Sequence, residues 1–239
     1  MKSIFDKLSI VLVGTTHPGN IGAVARAMKT MSQQNLRLVN PLHFPSAEAS
    51  ARAAGADDIL AKCKQFSTLE GAVKDCDLVI GTSARIRGIP WPMILPRECA
   101  KKIFEETNSS VAIVFGRESS GLSNNELQLC NMVLKIPTNS EFNSLNLAAA
   151  VQIICYEIYI LANDIKTIEY KKNNLVFVNQ DKMEQFYTHI EECFIHVGFY
   201  DKDNPKKLMH RIRRLFNRAQ SYESEWKILR GFISKIQKK

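Results

Sequence analysis

The chain carries little that would tie it down covalently or anchor it in lipid. Its six cysteines (Cys63, Cys76, Cys99, Cys130, Cys155 and Cys193) are scattered and form no Cys-x-x-Cys pair. That excludes a zinc ribbon or a disulfide scaffold and fits reduced thiols in a cytoplasmic protein. No apolar run reaches membrane-spanning length. The N-terminal MKSIFDKLSIVLVG is short and precedes no small-residue cleavage site, and the stretch 145–162 is interrupted by Asn146, Gln152 and Glu157. There is no strict repeat and no low-complexity tract. A Gly-x-Gly-x-x-Gly fingerprint is also missing. Gly14-x-x-x-x-Gly19 has the spacing of a phosphate loop, but Asn20-Ile21 stands where Lys-Ser/Thr would follow. The residues that perform nucleoside-triphosphate and dinucleotide chemistry are therefore not there, which argues against an oxidoreductase on a Rossmann-like sheet.

Most of the chain also lacks any excess of charge. Residues 1–195 hold 20 Lys+Arg and 20 Asp+Glu, whereas residues 196–239 hold 12 against 4, so the whole net charge of +8 sits in the tail. A neutral body with a basic extension is the pattern of a protein in which one part does chemistry and another holds a polyanion. In the densest segment Leu208, Ile212, Leu215 and Phe216 fall at helical spacing. Lys207, Arg211, Arg214 and Arg218 run down another face. Such a stripe describes either a solvated helix face or one that tracks phosphates and loosens in salt.

What is present is ordinary globular material: 239 residues, 45% hydrophobic and 23% charged, enough for one α/β domain and an extension. Short β-branched runs predict strands at 9–14, 36–40, 77–81, 111–116 and 133–136. Helical patterns fall at 21–31, 47–56, 96–106 and 144–162. Alternation of this kind predicts a parallel sheet covered on both faces. After polar residues 169–174 come helical patterns at 182–197, 206–218 and 222–236. The expected organisation is a catalytic domain over 1–163, a linker over 164–177 and a basic helical extension over 178–239.

Ligands of parallel sheets bind beyond the carboxyl ends of the strands. Four polar segments lie there: 14–26 with Asn20 as helix N-cap and Arg26 further along, 81–85 with Arg85 and Arg87 adding charge, 115–122 with Arg117-Glu118 between two glycines, and 136–148 with Ser144 and Asn146 at a helix mouth. Each alone is explained by capping, a turn or a surface ion pair. Together they predict one composite site.

The segments His17-Pro18-Gly19-Asn20-Ile21-Gly22-Ala23-Val24-Ala25-Arg26-Ala27-Met28, Phe115-Gly116-Arg117-Glu118-x-x-Gly121-Leu122 and Ile136-Pro137 with Ser144-Leu145-Asn146-Leu147-Ala148 resemble the three motifs of the SPOUT RNA 2′-O-methyltransferases. Gly81–Arg85, Pro90-Trp91-Pro92 and the tail Leu208–Ala219 with Ile228-Leu229-Arg230-Gly231 narrow the resemblance to the branch acting on tRNA cytidine and uridine.

The resemblance implies a parallel α/β sheet ending in a trefoil knot, followed by a small helical domain. It implies S-adenosylmethionine as cofactor, a homodimer with sites near its interface, and as substrate the ribose 2′-hydroxyl of C or U at tRNA position 32. It assigns the cofactor to Thr82, Ser83, Ala84, Gly116, Ile136, Asn143, Ser144 and Leu145, with Asn143 standing where the resemblance leads one to expect serine. The reaction centre would be Asn20, Arg26, Glu118, Ser144 and Asn146.

Methyl transfer from a sulfonium needs no metal; it needs in-line positioning and loss of the hydroxyl proton. A guanidinium is a poor base, so Arg26 is expected to clamp phosphate and stabilise charge on the oxygen. Lys207, Arg211, Arg213, Arg214 and Arg218, with Arg85 and Arg87, are the expected RNA contacts. A non-catalytic RNA-binding protein would need the tail but not the Asn20, Arg26, Glu118 and Asn146 set. A base methyltransferase would usually place a carboxylate or similar group against the base ring.

Overall fold

The computed structural model describes residues 4–83, 91–106, 109–164, 176–204 and 206–238. The chain opens with α1 (Ile4–Lys7), β1 (Leu8–Val13), α2 (Pro18–Thr30), β2 (Asn35–Val39), α3 (Ala47–Ala53) and α4 (Asp57–Lys62). It continues through β3 (Lys64–Phe66), α5 (Leu69–Val73), β4 (Leu78–Thr82), β5 (Met93–Ile94) and α6 (Pro96–Glu105). Then come β6 (Val111–Phe115), α7 (Asn124–Leu127), β7 (Met132–Leu134) and α8 (Leu147–Asp164). The last elements are α9 (Gln180–His196), α10 (Leu208–Ala219) and α11 (Glu223–Gln237).

The strands form one seven-stranded sheet in the order β3-β2-β1-β6-β4-β7-β5, and every pairing is parallel. The five central strands are the ones expected from sequence. β3 and β5 are additions at the two edges, too short or too polar to announce themselves. Period-two alternation divides the central strands between two cores. Ile10, Leu12, Ile80 and Ile113 face one layer with Ile21, Met28, Val151 and Ile158. Val11, Val13, Val79 and Val114 face the other with Leu69, Val73 and Leu127. Two such faces covered by helices are what a parallel sheet requires.

Three local expectations need correction. α2 begins at Pro18, not at residue 21, because proline suits the first helical position, where an N–H would go unpaired. His17 is its N-cap and makes no side-chain cap bond. Asn20 therefore lies inside the helix and is not its cap. The predicted helix 47–56 stops at Ala53, where Ala54 adopts a left-handed φ of 46°. α8 starts at Leu147 after Asn146, whose Oδ1 accepts from the Ala148 N–H at 2.9 Å.

The C-terminal helices enclose a third core of Val178, Met183, Phe186, Tyr187, Ile190, Cys193 and Ile233, with Phe216, Trp226 and Leu229 packed on it. No helix among the described residues is long and apolar enough to cross a membrane, and all six cysteines are free thiols.

The contact of α2 with α3 positions the start of the first site loop, and it depends on Gly22. A Cβ there would lie 2.0 Å from the Ala49 carbonyl oxygen and 2.9 Å from the Ala53 nitrogen, both backbone atoms that cannot step aside. Gly22→Ala is expected to destabilise the fold by about 1–3 kcal/mol through overpacking. Chemical denaturation should show this as a lower midpoint with an unchanged slope.

Candidate active site

The carboxyl ends of β4, β6 and β7 open into a cavity of about 210 Å³. Thr82 and Ser83 form one wall, Phe115–Gly121 a second, and Ile136, Thr138, Asn143, Ser144 and Leu145 a third. Thus seven of the eight expected cofactor residues line one space; Ala84, with Arg85 and Arg87, lies outside the described residues. Gly116 admits no side chain. A Cβ there would meet the Gly121 carbonyl carbon at 2.1 Å and the Leu122 nitrogen at 2.2 Å. The loop can fold back on itself, with the Gly121 N–H donating to the Arg117 carbonyl at 2.8 Å, only around a bare backbone.

Arg117 and Glu118, neighbours in sequence, do not pair with each other. Arg117 turns to Glu126, donating to both of its carboxylate oxygens at 3.0–3.1 Å, and so braces the loop against α7. Glu118 turns to the first site loop. Its Oε2 accepts from the Thr16 N–H at 3.2 Å and the Thr16 hydroxyl at 3.0 Å. Its Oε1 accepts from Asn20 Nδ2 at 2.9 Å and the His17 N–H at 3.4 Å. Burial acts to raise the Glu118 pKa, but the bonds from Asn20 and from nearby backbone N–H groups outweigh it, and the net shift is downward. A carboxylate so fully supplied with donors is an anchor and a poor proton acceptor.

The anchor orients the amides around it. Because ionised Glu118 can only accept, Asn20 must turn its amide nitrogen toward it, leaving Oδ1 to accept from Asn146 Nδ2 at 3.1 Å. Asn146 in turn presents Oδ1 to the Ala148 N–H. Asn20, Glu118 and Asn146 are thereby joined in one directed chain, with Glu118 and Ser144 reaching the cavity. Arg26 is not part of it. It lies six residues beyond Asn20 on α2, exposed, with no ion pair among the described residues. Thr16 is a site residue that sequence reasoning misses. Only its position just before the His17-Pro18 motif points to it, since its acceptor lies 102 residues away.

The family models match both parts of this architecture. Residues 7–156 match the SpoU rRNA Methylase family, and residues 181–239 match the C-terminal domain of the tRNA methyltransferase TrmJ. The chain belongs to the SpoU methylase family. It is 47% identical to the tRNA (cytidine/uridine/adenosine-2′-O-)-methyltransferase TrmJ of Pseudomonas aeruginosa, over 98% of this chain and 95% of that one. It is 48% identical to the tRNA (cytidine/uridine-2′-O-)-methyltransferase TrmJ of Photorhabdus laumondii, over 98% of each. The crystal structure of TrmJ from Z. mobilis ZM4 superposes with a TM-score of 0.83 at 31% identity, covering 96% of this chain and 98% of that one.

In this SpoU methylase the basic tail is not uniformly outward. Lys207, Arg211 and Arg218 of the α10 segment are exposed and Arg214 is half-buried. Arg213 points inward, donating to Glu184 Oε1 at 2.7 Å with its guanidinium 4.5 Å from the Tyr187 ring centre. Its charge is engaged within the helical domain.

Since Glu118 holds its proton less tightly when folded, its contribution to stability is complete above the ordinary value of 4.5 and is lost as pH falls through the lower folded value. Glu118→Gln should remove that acid-side dependence in pH-resolved denaturation. It should also slow methyl transfer on the order of a hundredfold, by releasing Asn20 and Asn146 from their fixed orientation.

Proposed function

We propose that the chain transfers the methyl group of S-adenosylmethionine to the ribose 2′-hydroxyl of a tRNA anticodon-loop nucleotide, C or U at position 32. The observation that carries this reading is the directed chain Asn146–Asn20–Glu118 set against a three-walled cavity floored by a glycine that tolerates no side chain. The names of the relatives support tRNA as substrate and the 2′-oxygen as acceptor.

Thr82, Ser83, Gly116, Ile136 and the 143–145 stretch would hold the cofactor, whose sulfonium supplies an electrophilic methyl group. The anionic Glu118 beside this space favours a cationic occupant. Asn143 lies among the lining residues, and its backbone oxygen accepts from the Thr138 hydroxyl at 3.4 Å. A contact through its main chain would leave the change from serine harmless. Asn20 and Asn146 hold the mouth of α8 in place, and Ser144 is within the cavity as a hydroxyl partner for the incoming ribose.

Arg26 acts as a clamp on the adjacent phosphate and as a counter-charge to the developing oxyanion, a role suited to an exposed guanidinium with no ion pair among the described residues. The protein works as a homodimer, whose interface would cover exposed apolar groups near the site such as Phe142 and Leu145. Residues 1–163 form the methyltransferase unit, knotted toward its C-terminal end. Residues 178–239 grip tRNA through Lys207, Arg211, Arg214 and Arg218, in the cytoplasm where tRNA is found.

Incubation with labelled S-adenosylmethionine and unmodified tRNA should place the label in alkali-resistant dinucleotides, because a methylated 2′-oxygen cannot attack its neighbouring phosphate. Label on a nucleobase would overturn the reading. Arg26→Lys should keep cofactor affinity and lose turnover at every pH; recovery of turnover at raised pH would identify a titrating base instead. Charge reversal at Arg211 and Arg218 should weaken tRNA binding by about tenfold or more while calorimetry finds cofactor binding unchanged.

A further inference from the structure

Among the described residues, a cluster of buried amides joins the helical domain to the sheet domain, beside the Gln180 and Asp181 N–H groups, which donate to the Cys76 and Lys74 carbonyls at 3.1 and 3.4 Å. The turn between α7 and β7 offers three consecutive carbonyls, and donors from the helical domain take all three. Asn217 Nδ2 donates to Gln128 O at 2.7 Å and to Cys130 O at 3.3 Å, and Gln180 Nε2 donates to Leu129 O at 3.0 Å. Asn131 closes the joint from the other side. Its Nδ2 donates to the Asn217 carbonyl at 3.1 Å, and its Oδ1 accepts from the Val79 N–H of β4 at 2.7 Å. Asn217 Oδ1 accepts from the Tyr187 hydroxyl, so every polar atom of that amide is used. Asn217 is 2% exposed, Gln180 5% and Asn131 8%.

This joint touches the chain on each approach to the cavity. The turn follows the 116–121 wall through α7 and runs directly into β7, which leads to Ile136. Val79 lies three residues ahead of Thr82. On its other side the joint is built into α10, where Asn217 immediately precedes Arg218 and lies one helical turn beyond Arg214. An apolar contact would let a helix slide or rotate at little cost. Buried amides do not, because any displacement leaves donors and carbonyls unpaired and desolvated.

We propose that Asn217, supported by Gln180, is a positioning residue for methyl transfer: it fixes the orientation in which the basic face of α10 presents RNA to the cavity, separately from the strength of the grip. A joint that only stabilised the small domain would alter melting and tRNA affinity. A joint that aims the substrate alters the rate once substrate is bound.

The inference rests on the reading that α10 holds tRNA, and the two can fail separately. The full-length protein with Asn217→Ala, and separately with Gln180→Ala, is assayed for tRNA affinity, cofactor affinity, melting and single-turnover methyl transfer at saturating tRNA and cofactor. For Asn217→Ala the single-turnover rate should fall by about tenfold or more while tRNA and cofactor affinities stay within about threefold, since misplacement of reacting groups acts on rate rather than on binding. Gln180→Ala should show the same pattern to a smaller extent. A rate within about twofold of the parent in a variant that melts normally overturns the proposal, as does a defect that tRNA saturation abolishes. Should Asn217→Ala fail to fold, Gln180→Ala decides by the same rate measurement. Unchanged tRNA affinity after charge reversal at Arg211 and Arg218 would instead remove the gripping role of α10 and, with it, the proposal that Asn217 aims that helix.

Discussion

The ionised Glu118 carboxylate is the constraint on which the site depends. It is the one member of its cluster that can only accept hydrogen bonds, so it dictates the orientation of every amide beyond it. Through Asn20 it reaches α2, through Asn146 the mouth of α8, and through Thr16 and His17 the loop after β1. Two segments distant in sequence, 16–20 and the mouth of α8 at Asn146, are brought to the 116–121 loop by a single charge. The same charge faces the cavity proposed here for the cofactor, where it would suit a sulfonium.

Arg117 makes the arrangement durable. By pairing with Glu126 it holds the loop that carries Glu118 against α7, and it lies so close over Gly14 that a Cβ there would come within 2.9 Å of its Nε. Glu126 is bound to Arg117 and also closes a capping box with Ser123. Burial of Glu126 works to raise its pKa, but the Arg117 bond and the Ser123 contacts overcome this and the shift is downward. Adjacent residues of opposite charge thus do different work because the backbone sends them to opposite sides.

The central strands are legible in the sequence because a buried parallel strand reads as a continuous apolar run; Leu8–Val13 and Val111–Phe115 are buried throughout. β3 and β5 are not, one being Lys-Gln-Phe and largely exposed at the edge, the other only two residues long. Asn20 is readable as a polar group of the site but misleading as a cap, since capping propensity is local while the observed partner lies 98 residues away. Thr16 is invisible for the same reason. The helical period does place Arg213 four residues before Asn217 and three before Phe216, on the inward side of α10, yet charge alone puts it with the outward residues.

Arg213 also bears on the ionic footprint of the basic helix. The Arg213 guanidinium already has an anion partner inside the helical domain, donating to Glu184 Oε1 at 2.7 Å and lying 4.5 Å from the Tyr187 ring centre. Counterion release counts only the cations that meet the polyanion, each worth about 0.7–0.9 in the logarithmic dependence on salt. On the proposal that α10 grips tRNA, its sensitivity to ionic strength would be set by Lys207, Arg211, Arg214 and Arg218, and a tally of basic letters in the segment would overstate it.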